Sequence, residues 1–316
     1  MLNPPVIDDQ LLSLIHLAVA EDLGTHRAGN GGDLTVNLAI PTTLQTTAAI
    51  IARKPGTLSG TFLLPTLLHQ YSPHLTVSIH AADGSQVVEN QLVAEISGPA
   101  RALLSAERML LNFLGHMSGI ASQTHTYLRA IAAALPQANP QKPLPVLCDT
   151  RKTIPGYRAL DKYAVRCGGG VNHRMGLYDG VMLKDNHLAA LREQLGPDLT
   201  LAQLTMAIRQ KLDPSILLWL EVDTLEQLKE ALQGGGGGGA DIILLDNFST
   251  EQMRAAVGMR DELTRPGNPE SKVLLEASGG ITLENIGDIA RTGIDRISIG
   301  ALTHSAPVLD ISMEFA

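Results

Sequence analysis

Residues 217–258 read LLWLEVDTLEQLKEALQGGGGGGADIILLDNFSTEQMRAAVG and contain two successive copies of an apolar strand followed by a helix. The strand cores, such as DIILL at 241–245, are continuous apolar runs, which is typical of parallel strands buried on both faces. Repetition of a strand and then a helix predicts a parallel sheet with crossover helices, and a barrel is a natural closure of such a sheet.

The same alternation extends in both directions from this stretch. The predicted strands cover residues 146–149, 180–184, 217–222, 241–245, 273–277 and 296–299. The predicted helices cover residues 157–166, 187–196, 200–211, 224–233, 249–258 and 282–292. The glycine run at 234–239 predicts a flexible loop, since a phosphate-binding loop would need patterned residues around its glycines.

The residues before 106 have a different pattern. A helix is predicted over 8–23 and strands over 46–54, 75–80 and 86–96, which together favour a small α/β sandwich. A long helix is predicted from Ala106 to about Ala133, with a kink near Ser118-Gly119. The sequence thus predicts an α/β protein with a sandwich domain over residues 1–120 and a barrel domain over 121–316, the last residues returning to the sandwich.

Composition excludes several classes of protein. Hydrophobic residues at 44% and charged residues at 18% are typical of a globular protein rather than a disordered one. No apolar run is long enough to span a bilayer, and the acidic N-terminus does not resemble a signal peptide. Two widely spaced cysteines, Cys148 and Cys167, indicate a reducing cytoplasm more than a disulfide scaffold. An acidic pI of about 5.7 and few aromatic residues disfavour nucleic-acid binding.

The segment 149–187 has the opposite charge to the rest of the chain. It reads DTRKTIPGYRALDKYAVRCGGGVNHRMGLYDGVMLKDNH and carries a formal charge of +3, whereas the whole chain carries −8. A positive segment within an acidic protein predicts a pocket for a small polyanion, because walls of low dielectric focus the field.

Functional groups of a barrel lie at the carboxyl ends of its strands. At those ends the sequence places basic groups, acidic groups and glycine-rich turns suited to phosphate. These residues are Asp149, Thr150, Arg151, Lys152, Lys184, Asp185, Asn186, His187, Glu221, Asp223, Asp246, Asn247, Ser278, Gly279, Gly280 and Gly300. Each of these residues could instead be an ordinary turn or a surface charge. The prediction of an anion-binding site therefore depends on how many strand ends carry such residues. By contrast, Arg158, Lys162 and Arg166 are interpreted as a solvated stripe of a helix, and His116 as a packed or capping residue.

The chain resembles the quinolinate phosphoribosyltransferase family nearly from end to end. The motifs that carry the resemblance are AEDLG at 20–24, ERMLLNFLGHMSGIAS at 107–122, the whole segment 149–187, LEVDTLEQ at 220–227, IILLDNFS at 242–249, LEASGGI at 275–281 and DRISIGALTHSAP at 295–307. The apparent insertions are the GNGGD loop, residues 134–145, the hexaglycine and PGNPES at 266–271; all lie between motifs.

The resemblance implies an N-terminal α/β sandwich and an incomplete, seven-stranded α/β barrel. It implies a homodimer with a shared active site or a higher oligomer, while the composition already disfavours a membrane or nucleic-acid partner. It also implies quinolinate and phosphoribosyl pyrophosphate as substrates, with Mg²⁺, and nicotinate mononucleotide, pyrophosphate and CO₂ as products on the route to NAD.

The resemblance also implies roles for individual residues. Arg108 would reach quinolinate from the partner subunit. The cage for the two carboxylates of quinolinate would comprise Arg151, His173, Arg174 and Lys184. Phosphoribosyl pyrophosphate would bind to Thr150, Lys152, Glu221, Asp246, Ser278, Gly279, Gly280 and Gly300, with Glu221 and Asp246 meeting the ribose hydroxyls and, directly or indirectly, the metal.

The same residues leave two other functions open. The first is a related phosphoribosyltransferase of the same fold that acts on another heteroaromatic acid. The number of cations favours a dicarboxylate over it, because a monocarboxylate would leave buried charges unpaired. The second is a catalytically silent barrel that binds small anions, which would be expected to lack a residue at one of the strand ends.

Overall fold

The computed structural model describes residues 2–24, 32–135, 143–233, 239–263 and 273–316. Most of the GNGGD loop, the centre of the 134–145 connector, the hexaglycine apart from Gly239 and the PGNPES segment lie outside the described residues. The described chain divides into two units, each with its own internal contacts. The sandwich unit comprises Met1–His125, Lys152–Gly170 and Ala301–Ala316, and the barrel unit comprises Thr126–Arg151 and Val171–Gly300.

The elements alternate as the sequence predicts. The helices are α1 (Asp9–Leu23), α2 (Leu34–Ala39), α3 (Leu64–His69), α4 (Ala100–Ala134), α5 (Arg158–Cys167), α6 (Asp185–Leu195), α7 (Leu201–Arg209), α8 (Leu225–Leu232), α9 (Thr250–Leu263), α10 (Ile286–Ala290) and α11 (Ala301–His304). The strands are β1 (Gln45–Ala52), β2 (Gly56–Thr57), β3 (Thr76–Ile79), β4 (Gln86–Val87), β5 (Gln91–Pro99), β6 (Val146–Cys148), β7 (Val181–Leu183), β8 (Leu218–Val222), β9 (Ile242–Asp246), β10 (Leu274–Ser278), β11 (Arg296–Ser298) and β12 (Ile311–Phe315).

The sandwich unit is built on a four-stranded antiparallel sheet in the order β12-β1-β5-β3. Alternate residues of β1, namely Ala48, Ile50 and Ala52, are buried, as expected for a sheet with one face on a core. The last strand of the chain, β12, pairs with β1, so the C-terminal residues complete this sheet.

The single predicted strand over 86–96 is wrong, because the chain turns within it. Asn90 adopts a left-handed conformation with φ of 62°, and the Gln91 N–H donates to the Val88 carbonyl. This turn separates β4 from β5. Asparagine tolerates the left-handed region better than most residues, and this is the local signal for the turn.

The long helix α4 continues without interruption through Ser118 and Gly119, where the sequence predicts a kink. Small residues there permit close packing within the sandwich unit. A Cβ on Gly119 would lie 2.1 Å from the carbonyl oxygen of Pro307, and the Ser118 hydroxyl accepts the Ser59 N–H at 3.0 Å. Gly119 therefore allows the segment at Pro307 to pack closely against α4, and it does not interrupt the helix.

The barrel unit contains a six-stranded, wholly parallel sheet in the order β6-β11-β10-β9-β8-β7. Strands β7 to β11 are neighbours in chain order, and β11 pairs with β6, as in a barrel. On the other side of β6, Val171 forms an isolated parallel bridge with Cys148. Val171 thus occupies the seventh strand position, and the prediction of an incomplete seven-stranded barrel is confirmed.

The core of the barrel strands is aliphatic. Leu220, Ile243, Leu245, Leu275 and Ile297 are all fully buried. In the described part of the chain, no helix combines the length and the apolar character required to cross a membrane.

Candidate active site

The carboxyl ends of the parallel strands of the barrel unit carry most of the predicted site residues. Thr150 and Arg151 follow β6, Lys184 follows β7, and Glu221 lies one residue before the end of β8. Asp246 and Ser278 are the last residues of β9 and β10 and are register partners of each other. Because parallel strands end at the same edge of a sheet, these groups lie on one rim.

Lys184 and Glu221 contact each other directly on this rim through an ion pair between Nζ and Oε2. Their strands, β7 and β8, are neighbours in register. The lysine side chain is 42% exposed and the glutamate 16% exposed, so the pair is open on the lysine side. Lys184, which is predicted to bind the acid substrate, therefore contacts Glu221, which is predicted to bind the sugar.

Two guanidinium groups, those of Arg151 and Arg174, repel each other in the same unit. Burial lowers the pKa of Arg174, and the positive charge of Arg151 lowers it further. Arg174 Nη1 donates to the Gly180 carbonyl at 2.8 Å, which holds the guanidinium in place. An anion binding beside both groups would relieve this repulsion, so the arrangement favours a carboxylate or phosphate ligand.

His173 is 7% exposed, and both its ring nitrogens face other groups of the barrel unit. Nδ1 accepts the backbone N–H of Arg174 at 2.8 Å, and Nε2 lies 3.5 Å from Oε1 of Glu276. The ring stacks on Trp219 with centroids 4.5 Å apart.

Asp149 anchors the segment that carries His173 and Arg174. This fully buried carboxylate accepts the backbone N–H of His173 at 2.9 Å and the side-chain amide of Asn172 at 2.6 Å. The end of β6 thereby fixes the backbone of residues 172–173.

Below the rim lies a charged layer that the sequence analysis missed. Glu276, fully buried in the middle of β10, accepts Arg296 Nε at 2.9 Å and Trp219 Nε1 at 3.4 Å. Burial lowers the pKa of Arg296, but the neighbouring Cys148 and Glu276 outweigh this effect and raise it overall. The signal was present, because Glu276 and Arg296 stand in strands whose other residues are mostly apolar, and a charge buried there requires a partner.

The turn after β10 requires glycine at its second position. Gly279 has φ of +88°, and a Cβ there would lie 2.1 Å from Oδ1 and 3.0 Å from the backbone nitrogen of Asn247. The Asn247 N–H in turn donates to the Ser278 carbonyl at 2.9 Å. Gly280 also has positive φ, +59°, but open space around its Cβ position. The result is a bare backbone turn with N–H groups that a phosphate could approach.

This turn is not followed at once by a helix, although the sequence predicted one over 282–292. Helix α10 begins only at Ile286, because the Asn285 side chain binds the Thr282 N–H at 2.8 Å and the Gly280 carbonyl at 2.9 Å. The anion-binding potential of the turn therefore comes from its glycine backbone and not from a helix terminus.

The oxygen donors for a metal ion on this rim are the carboxylates of Glu221 and Asp246, on neighbouring strands. Within the described ranges, no cluster of three or more His, Cys, Asp or Glu side chains is arranged to hold a metal. Two hard oxygen ligands suit Mg²⁺, which keeps several waters and binds substrate phosphates together with one or two carboxylates.

The remaining predicted residues are placed as follows. Gly300 is the last residue of the barrel unit and lies two residues after the end of β11. Arg108 and Lys152 are both exposed and belong to the sandwich unit, where Arg108 lies on α4 and the carbonyl of Lys152 accepts the Thr303 hydroxyl at 2.8 Å.

The interpretation of Arg158, Lys162 and Arg166 as a solvated stripe is wrong. Lys162 is only 1% exposed, and Arg158 and Arg166 are half-buried. Helix α5 packs this face within the sandwich unit, where Arg166 lies 5.4 Å from the ring centre of Tyr163 and binds the Asn3 carbonyl. The packed role of His116 is confirmed, since its Nε2 binds the buried Asp161 at 2.7 Å.

Comparison with known families agrees with this geometry. The model of the C-terminal domain of quinolinate phosphoribosyl transferase matches residues 120–314, and the model of its N-terminal domain matches residues 33–118. The chain belongs to the quinolinate phosphoribosyl transferase family.

Similar proteins within this family extend over the whole chain. A Mycobacterium leprae nicotinate-nucleotide pyrophosphorylase (carboxylating) is 37% identical over 308 residues, covering 97% of each chain. The structure of the nicotinate-nucleotide pyrophosphorylase of Francisella tularensis matches with a TM-score of 0.80 and 34% identity, covering 99% of this chain and 100% of that one. A Streptococcus pyogenes structure of the protein NadC matches at 0.82 and 32%, covering 99% of each.

Proposed function

We propose that this chain is a pentosyltransferase that transfers the phosphoribosyl group of phosphoribosyl pyrophosphate to quinolinate. Decarboxylation accompanies the transfer and gives nicotinate mononucleotide, pyrophosphate and CO₂ in the biosynthesis of NAD. Membership of the family supports this activity. The observation that carries it is geometric: Arg151 and Lys184 follow the carboxyl ends of two parallel strands, Lys184 pairs with Glu221 on that rim, and Arg174 of the same unit is held by the Gly180 carbonyl.

The cationic groups form the acid-binding part of the proposed site. Quinolinate carries two adjacent carboxylates, and planar guanidinium groups bind carboxylates through two parallel hydrogen bonds. Arg151, Arg174 and Lys184 would contact these carboxylates, with His173 completing the cage. A single carboxylate would leave part of this positive charge unpaired, which is costly in a partly buried site.

The glycine turn and the acidic residues form the sugar-binding part. The bare backbone at Ser278-Gly279-Gly280, together with Gly300, would bind the 5′-phosphate. Glu221 and Asp246 would meet the ribose hydroxyls, and Thr150 and Lys152 the pyrophosphate. Glu221 and Asp246 would also hold Mg²⁺, which supplies positive charge to the departing pyrophosphate when bound.

The chemistry then requires positioning more than covalent catalysis. The pyridine nitrogen of quinolinate bonds to C1 of the ribose as the bond between C1 and the pyrophosphate oxygen breaks. The carboxylates of Glu221 and Asp246 would stabilise the positive charge that develops on the ribose. The bond between C2 and its carboxylate breaks next and CO₂ leaves; the electron pair stays on C2, where the adjacent cationic ring nitrogen stabilises it, and C2 then takes a proton from water. Holding the two substrates in line supplies much of the rate enhancement.

The assembly and location of the protein are also part of the proposal. We propose a cytoplasmic homodimer in which Arg108 of one subunit reaches quinolinate bound to the other. The exposure of Arg108 on α4 is consistent with this role.

The decisive experiment is incubation with quinolinate, phosphoribosyl pyrophosphate and Mg²⁺ while CO₂ and the mononucleotide are measured. Both products are expected, and a chelator should abolish them, with recovery on added Mg²⁺. Arg174→Ala and Lys184→Ala should raise KM for quinolinate or abolish turnover, whereas Arg254→Ala, a 51% exposed arginine on α9, should not. Nicotinate in place of quinolinate should give no mononucleotide. Turnover of nicotinate without release of CO₂ would favour the alternative transferase instead.

A further inference from the structure

The buried carboxylate of Glu276 has one oxygen that is satisfied and one that is not. Oε2 accepts hydrogen bonds from Arg296 and Trp219. Oε1 makes no hydrogen bond of normal geometry with any described residue, and Nε2 of His173 lies 3.5 Å from it. A buried carboxylate oxygen needs a donor, so the contact with His173 is the one expected to complete its hydrogen bonding.

The other ring nitrogen of His173 decides where the imidazole proton lies. Nδ1 accepts the backbone N–H of Arg174 at 2.8 Å, and a backbone N–H can only donate. The proton of the neutral ring must therefore be on Nε2, where it points toward Glu276. Stacking on Trp219 limits rotation of the ring.

Resting on the proposed function, we propose that Glu276 is a positioning residue for Arg174. Its carboxylate fixes the tautomer and orientation of His173, and His173 fixes the backbone of Arg174. The guanidinium of Arg174, held at its far end by the Gly180 carbonyl, then faces the quinolinate carboxylates. Glu276 itself does not need to touch the substrate, because it acts through His173.

Charged groups on several strands of the barrel unit lie around His173. Asp149 faces it from the end of β6 but is occupied by the His173 backbone N–H and by Asn172. Glu276 faces it from β10, and Arg296 on β11 compensates the charge of Glu276.

The first test is a double-mutant cycle. Glu276→Gln keeps the shape of the side chain, and we expect it to raise KM for quinolinate about tenfold or more, while KM for phosphoribosyl pyrophosphate changes less than about twofold. His173→Phe keeps the stacking on Trp219 and should show a loss at least as large, because it also removes the imidazole from the cage. If Glu276 acts through His173, the double variant should be no worse than His173→Phe alone. Multiplication of the two losses would overturn the proposal.

Two controls accompany the cycle. Glu251→Gln, on the exposed surface of α9, makes the same chemical change and should leave both KM values unaltered. The chain has one tryptophan, and its fluorescence emission reports whether packing around Glu276 survives in each variant.

The second test does not depend on any variant of Glu276 folding or on activity. ¹⁵N NMR of histidine-labelled wild-type protein, with the His173 signal identified by its absence in His173→Phe, should show the proton on Nε2 at neutral pH. A proton on Nδ1 would refute the proposal. If the wild-type protein fails to convert quinolinate, the proposed function falls, and the tautomer still decides whether Glu276 orients His173.

Discussion

Gly279 offers a sharp test of the phosphate-binding turn, because its neighbour Gly280 provides a matched control. Both residues have positive φ, so alanine at either position pays a conformational cost of about 1 to 2 kcal/mol. They differ in the space around the added methyl group. At Gly280 that space is open, whereas at Gly279 the methyl group would collide with Asn247.

The collision at Gly279 cannot be relieved by rotating one side chain. The methyl carbon would lie 2.1 Å from Oδ1 and 2.6 Å from Cγ of Asn247. The Nδ2 of the same side chain donates a hydrogen bond to Oδ2 of Asp246 at 2.9 Å. It would also lie 3.0 Å from the backbone nitrogen of Asn247, which donates to the Ser278 carbonyl. The turn itself must therefore move, and overpacking of this kind costs a further 1 to 3 kcal/mol, roughly.

The free energies of unfolding of Gly279→Ala and Gly280→Ala, measured in urea, should therefore differ by about 1 to 3 kcal/mol, with Gly279→Ala the less stable. Because the turn would also shift away from the phosphate, KM for phosphoribosyl pyrophosphate should rise about tenfold or more in Gly279→Ala, and less in Gly280→Ala. Equal stabilities and equal KM values in the two variants would refute the reasoning, since both the contact with Asn247 and the larger φ of Gly279 should make Gly279→Ala the worse variant.

Three further predictions concern the charged groups. Arg174→Lys should weaken quinolinate binding about tenfold or more, measured as KM, because an ammonium group cannot form two parallel hydrogen bonds to a carboxylate. Glu221→Gln should bind quinolinate more tightly, by up to about fivefold, because Lys184 loses its competing partner; calorimetry without phosphoribosyl pyrophosphate measures this. The kcat of this variant should fall, because the ribose loses a stabilising carboxylate. Weaker binding of quinolinate would contradict the prediction. Asp295→Asn should lower the free energy of unfolding by about 1.5 to 3 kcal/mol in urea, because Asp295 pairs with the buried Arg260; an unchanged free energy would mean that the pair is not stabilising.

The fold of the barrel unit could be predicted because its strands carry a strong local signal. Continuous apolar runs such as IILL at 242–245 became strands within one or two residues of the predicted bounds. The prediction was wrong where a single residue decided the outcome. Asn90 splits one predicted strand through its left-handed backbone, and Asn285 delays a helix through its side-chain hydrogen bonds. Periodicity over several residues does not register such local chemistry.

The rim of the candidate site could be predicted from the rule that functional groups follow parallel strands. That rule finds Lys184, Glu221 and Asp246 because each stands at a strand end, and it does not consider charged residues within strands. Glu276 and Arg296 were missed for that reason. Lys162 was misjudged because spacing along a helix shows which residues share a face, but not whether that face is covered.

The charged layer below the rim is better explained by positioning than by stability. Removing the Glu276 carboxylate and the Arg296 guanidinium from water costs several kcal/mol for each ion, roughly, and a buried pair often contributes no more than apolar residues of the same volume. What an apolar pair could not supply is an acceptor for Nε2 of His173. Without that acceptor the imidazole could rotate or shift its proton to Nδ1, and Nδ1 would then no longer accept the N–H of Arg174. A guanidinium forms two parallel hydrogen bonds to a carboxylate only when its plane is fixed. If the buried charges of Glu276 and Arg296 fix the orientation of Arg174, substrate binding explains why the protein retains them despite their cost in stability.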